Sequence, residues 1–202
     1  LETDRLILRE IREEDLDGWA ELMGDPDSAR YIGGTLNRAQ SWRAMATFAG
    51  CWSLKGFGMF SVVEKASGRW IGRLGPWQPE GWPGTEVGWS ILKSAWGKGY
   101  AAEGATAAID WALANLGWHE VIHVIDVENA RSIALAERLG STDLGPRVLP
   151  APLDKYNVHA WGQSREQWLA RRAAASSSVP SRRPTGRRSP QSRDWPLRTA
   201  PC

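Results

Sequence analysis

The chain is poor in cysteine, with only Cys51 and Cys202 among 202 residues. Two such distant thiols cannot supply a disulfide framework or a zinc cluster, and the composition suits a reducing cytosol. The three histidines, His119, His123 and His159, are scattered rather than grouped, so each is expected to pack or face solvent and no metal site is expected. No apolar run approaches the roughly 20 residues of a spanning helix, and no basic-then-apolar leader opens the chain. A soluble, cytoplasmic protein without a membrane partner is therefore expected. No internal repeat is visible.

Charge is present but unevenly placed. The formal net charge of +2 conceals 17 Lys/Arg against 22 Asp/Glu up to Leu169, followed by 8 Arg against one Asp from Ala170 onward. The basic pI reports this tail, and a nucleic-acid partner is not expected on its account. From Ala173 to Cys202 the chain is mainly Ala, Ser, Pro and Arg, too poor in apolar groups to offset its own ordering entropy, and is expected to be disordered. Residues 1–172 then form one domain, for which 42% apolar residues supply a core.

Within the body, Arg5 to Arg9 reads as a strand and Asp15 to Met23 as a helix, with Gly24 to Asp27 as a turn. A second helix spans Asn37 to Leu54, with Trp42, Met45, Ala49 and Trp52 at helical spacing and Gly56 as its stop. Phe57–Glu64 and Arg69–Leu74, joined by Lys65-Ala66-Ser67-Gly68, predict an antiparallel pair. Gly75 to Gly84, with three Pro and three Gly, reads as an irregular loop. Glu86 to Leu92 is a strand, Ala101 to Leu116 a helix stopped by Gly117, Val121 to Val127 a strand, and Asn129 to Leu139 a helix stopped by Gly140. Asp143–Leu149 and Tyr156–Trp161 are two later strands, and Gln163 to Arg172 a terminal helix.

The chemistry lies in the connection Trp96-Gly97-Lys98-Gly99-Tyr100-Ala101. A strand, a glycine-rich turn and an alanine-rich helix make an anion site, because the first helical amides lack internal partners and glycines admit a phosphate closely. A diphosphate suits it, and Lys98 adds a cation. A nucleotide P-loop would need four residues between its glycines and a following Lys-Ser/Thr, which are lacking. Gly97, Gly99 and Ala102 do satisfy the dinucleotide pattern G-x-G-x-x-A, with Glu120 about 20 residues on, but Lys93 to Trp96 separate the strand from the first glycine. Spacing thus disfavours a dinucleotide-binding protein.

The same loop resembles the acyl-CoA motif of the GNAT superfamily of N-acetyltransferases, with Trp96 replacing the usual Gln or Arg as it does in the ribosomal-protein N-acetyltransferase-like branch. A second family signature follows at Asn129-Ala130-Arg131-Ser132-Ile133-Ala134-Leu135, ending at Leu139-Gly140. The resemblance covers about Leu1 to Trp168. It implies an α/β (α+β) GNAT fold with a mixed, mostly antiparallel central sheet of about six or seven strands and about four helices.

The resemblance further implies an N-acetyltransferase that uses acetyl-CoA as co-substrate and passes the acetyl group directly to a primary amine. Backbone amides of Lys98, Gly99, Tyr100, Ala101 and Ala102 would hold the pyrophosphate. Ser90, Ile91 and Leu92 would pair with the pantetheine arm as an added strand, and Asn129 would reach the arm while capping its helix. Glu86 is the candidate base. Many relatives place a catalytic Tyr where this chain has Ala136, so the acid falls to Ser132, with Tyr156 as the fallback. The missing Tyr also leaves room for a non-catalytic acyl-CoA-binding module. Trp42, Trp52, Trp77 and Trp82 are either core or acceptor lining. Acidic residues near the site would favour a cationic amine such as an N-terminus, a polyamine or an aminoglycoside, and a homodimer is common in the family.

Overall fold

A computed structural model describes residues 1–177. Seven strands form one sheet in the order β1-β2-β3-β4-β5-β7-β6: β1 is Leu6–Arg9, β2 Phe60–Glu64, β3 Trp70–Trp77, β4 Glu86–Ile91, β5 Glu120–Asp126, β6 Thr142–Arg147 and β7 Val158–Ser164. Every neighbouring pair is antiparallel except β4 and β5. Six α-helices accompany it among the described residues: α1 Leu16–Gly24, α2 Pro26–Ala29, α3 Arg38–Lys55, α4 Tyr100–Asn115, α5 Ala130–Leu139 and α6 Arg165–Ser177. No described helix is long and apolar enough to cross a membrane.

The middle of the sheet is covered on both faces, and β3 is buried along its whole length. On one face α4 presents Ala105, Ala108, Ile109 and Ala112 to Leu6, Leu74 and Val87. Its Gly104 lies so close to β3 that a Cβ there would come within 2.5 Å of Leu74 Cδ2. On the other face α1 and α3 bury Trp19, Leu22, Met23 and Met45 around Trp70 and Leu92. Each such large side chain contributes about 1.5–3 kcal/mol by leaving water.

Local signals set the helix ends. Asn37 and Gln40 form a reciprocal capping box at the start of α3, and Gly56 closes it in the left-handed conformation. Asn129 caps α5 by accepting from the Ser132 amide. Element ends shift by a few residues, with Gln163 and Ser164 closing β7 rather than opening the terminal helix, and two further segments differ in kind. Pro26–Ala29 is a short helix capped by Asp25 rather than a turn. β3 runs on through Gly75 and Pro76 to Trp77: its pairing with β2 ends at Phe60↔Leu74, so the proline sits where one edge of β3 has no partner and removes no ladder bond. The expected tail of Ala173 to Cys202 lies outside the described residues from residue 178 on, while α6 itself runs to Ser177.

Candidate active site

Strands β4 and β5 share a single registered pair, Glu86↔Ile122, and then part. Side chains bridge the widening gap. Val124 N–H donates to Glu86 Oε1 at 3.1 Å, and the His123 ring meets the Val87 carbonyl through Nδ1 at 2.7 Å. A carbonyl only accepts, so Nδ1 carries the proton and Nε2 presents a lone pair. Farther along, Trp89 Nε1–H reaches Ser132 Oγ on α5 at 3.2 Å. Thr85 O and Val87 O are thus taken by Ile122 N–H and His123. By strand alternation the next backbone groups facing the gap belong to Trp89, where β5 has turned away.

Two cavities open from this gap. One, of about 440 Å³, is a groove running from Ser90 and Ile91 past Trp96, Gly97 and Gly99 to Ala102, with α5 as its opposite wall. The groove ends at the start of α4. Gly97 and Gly99 have φ of 74° and 80°, and the first helical bond joins Glu103 N–H to Gly99 O. The amides of Tyr100, Ala101 and Ala102 therefore have no helical carbonyl to bond and point toward the groove's end, as an anion site requires.

Trp96 has a definite part in this loop. Its indole N–H donates to Ile91 O at 2.7 Å, pinning the loop to the end of β4, and the Arg131 guanidinium lies 3.7 Å over its ring. Arg131 and Arg138, one α5 face apart by two turns, line the groove and were not singled out from sequence. Lys98 is exposed and outside the lining, while its carbonyl accepts from Arg5. Leu92, expected along the pantetheine through its backbone, has its side chain buried against α1 and α3 and its N–H bonded to Ile71 O.

The other cavity, of about 290 Å³, lies on the α1/α3 face and shares Tyr31, Ile32, Trp89, Ser90, Asn129 and Ser132 with the groove. Glu86 lines it. This carboxyl is only 6% exposed, although it opens a strand, because Trp82 covers it and donates to Oε2 at 2.5 Å. Burial pushes its pKa up to about 7, against the opposing pull of its two hydrogen bonds and the Arg73 charge. Gly88, next but one on the same face, lets the carboxyl and Met59 pack directly on its backbone: a Cβ there would lie 3.1 Å from Glu86 Oε1 and 2.8 Å from Met59 Cε.

His123 borders this cavity too, and burial pushes its pKa down to about 4, so the ring is neutral. Tyr156 lines the same cavity from the turn before β7, not from a strand. Trp77 and Trp82 form part of its wall. Trp42 is 46% exposed, and Trp52 packs against Phe60 and Trp111, so neither reaches it. Ala136 is fully buried and lines neither cavity.

Comparison with known proteins adds relatives to this geometry. Residues 5–142 match the Acetyltransferase (GNAT) domain family. An uncharacterized N-acetyltransferase p20 of Bacillus licheniformis is 30% identical over 142 residues, 69% of this chain and 80% of that one. The crystal structure of an acetyltransferase from Agrobacterium tumefaciens superposes with a TM-score of 0.71 at 27% identity, over 82% of this chain and 94% of that chain. A spermidine N-acetyltransferase of Vibrio cholerae, solved with CoA and spermine, shares the fold at 17% identity with a TM-score of 0.65, covering 83% and 99% of the two chains.

Proposed function

The chain belongs to the GNAT acetyltransferase family, and from that premise we propose that it moves an acetyl group from acetyl-CoA to a primary amine by direct attack in a ternary complex. One observation carries the reading: a groove ending at free helical amides and a cavity holding a buried carboxyl share a wall where β4 leaves β5. Tyr100, Ala101 and Ala102 amides, with Gly97 and Gly99 admitting close approach, fit a pyrophosphate. The open edge of β4 at Trp89 and the Ile91 N–H fits a pantetheine arm laid alongside as an extra strand, the Ile91 carbonyl being taken by Trp96. Acetyl-CoA supplies a thioester carbonyl for the amine to attack.

The chain's own residues then divide the work. An ammonium has no lone pair, so Glu86 takes its proton, and a carboxyl held near 7 is matched to that task at neutral pH. Water can relay the proton. Ser132 accepts from Trp89 on one side and keeps its own O–H to donate to the departing sulfur. It sits on the shared wall, whereas Tyr156 borders only the acceptor cavity, which favours Ser132 as the donor.

The test is CoA release and acetylated product from the wild-type protein with acetyl-CoA and a panel of primary amines. Product with at least one amine is expected. Tight acetyl-CoA binding with no CoA release across the panel would leave an acyl-CoA-binding module instead.

A further inference from the structure

Among the described residues, the buried side-chain polar atoms without a hydrogen-bond partner are three: Trp19 Nε1, Arg73 Nε and His123 Nε2. All three residues line the acceptor cavity. A native interior seldom leaves such groups unmet, so their gathering around one cavity says what a ligand should bring. Two are N–H donors and one is a lone pair.

The donors sit together. Arg73 on β3 is 5% exposed, with its guanidinium 4.1 Å over the Phe48 ring and 5.1 Å from the Trp19 ring centre. Ring faces offset part of the cost of burying the charge but accept none of its N–H bonds in plane. Its one hydrogen-bond acceptor is the Met59 sulfur, a weak one, at 2.8 Å. No carboxylate pairs with it, and the nearest influence of that kind is the field of Glu86 farther along the cavity. Burial lowers its pKa to about 10, so it remains a cation at neutral pH.

The β-sheet register sets the distance between the two ends. Arg73 lies opposite Ser90 and Trp77 opposite Glu86, with Gly75 and Gly88 facing each other between them. Arg73 and Glu86 thus project from the same face, and the glycines between them carry no side chain of their own, so Met59 packs over Gly88 with its sulfur on Arg73 and forms the floor of the cavity there. The rings of Trp77 and Trp82, in edge contact with each other, and of Phe48, stacked on Trp77, line the cavity on that side.

We propose that the acceptor amine also carries an anionic oxygen group, a carboxylate in the simplest case, which binds Arg73 and the Trp19 indole N–H. Its apolar body lies between the tryptophans. Its nitrogen lies toward Glu86 and the His123 lone pair. This rests on the acetyltransferase reading and narrows it: a polyamine would set a second cation against a buried guanidinium, so a zwitterionic acceptor takes the place of the purely cationic one that acidic residues near the site would favour.

Matched acceptors test it in the wild-type protein with acetyl-CoA: tryptophan against tryptamine, phenylalanine against phenethylamine, and spermine. The carboxylated member of each pair is expected to have kcat/KM at least about ten-fold higher, the effect of one charge-assisted hydrogen-bond pair. Arg73→Met, which keeps the volume, should erase that preference, while Arg73→Lys should keep part of it. Equal or better use of tryptamine, phenethylamine or spermine by the wild type overturns the proposal and leaves the acetyltransferase reading standing. If no amine releases CoA, that reading fails by itself, and calorimetry with indole-3-acetate still decides this one. Binding about ten-fold or more tighter to wild type than to Arg73→Met supports it, and equal or undetectable binding to both overturns it.

Discussion

The donor groove and the acceptor cavity are adjacent, yet they are built from different materials. The groove is made of backbone: two positive-φ glycines, three helical amides and the open edge of β4. The cavity is made of side chains that α1, α3, β3, β4, β5 and the loop before β7 bring together. A site made of backbone tolerates many side chains but demands particular conformations, so it leaves a short local pattern. A pocket made of side chains from distant segments leaves none, and is free to vary in the ligand it selects.

This contrast can be broken by changes that act on one side only. The largest effect belongs to the acceptor side and to pH. With saturating acetyl-CoA, turnover should fall about ten-fold for each pH unit below 7 as Glu86 takes up a proton, while His123, held near 4, adds no inflection until far lower. A flat profile from pH 5 to 8 would detach Glu86 from the chemistry. Next comes the shared wall: Ser132→Ala should lower kcat by roughly 10- to 100-fold, the worth of a hydrogen bond to a charged atom, with little change in acetyl-CoA affinity.

On the donor side the effects are smaller and fall on affinity. Gly99→Ala forces a Cβ into φ of 80°, 3.4 Å from Arg5 Nη2, and should weaken acetyl-CoA binding up to roughly ten-fold by calorimetry while kcat changes less. Arg131→Ala removes an exposed cation and its stacking on Trp96. A few-fold loss of affinity is expected, shrinking further at high salt. If either donor-side change altered acceptor preference, the two cavities would not select their ligands independently.

How far each region could be read in advance follows the same division. Gly97, Gly99 and the alanine-rich start of α4 announced the anion site, and Asn129, three residues before Ser132, announced a cap that the structure contains. The Asp25-Pro26 pair was a legible helix start that the turn reading passed over. Glu86 was noticed as a strand-end acid, but not that Trp82 would bury it, because a neighbour four residues back in a Pro/Gly-rich loop has no predictable position. Arg73 was invisible. Its importance comes from Trp19 and Phe48, which lie distant in sequence and converge only through the packing of α1 and α3 on β3. Nor does helical spacing distinguish Trp42 and Trp52 from the tryptophans that do line the cavity.

The most direct test of this division of labour is Glu86→Gln, measured twice: calorimetry for acetyl-CoA and turnover with an accepted amine. Acetyl-CoA affinity should stay within about two-fold of wild type while turnover falls by roughly 10²–10⁴-fold, the usual worth of a positioned general base. Unchanged turnover, or a loss of acetyl-CoA binding that matches the loss of turnover, would contradict it.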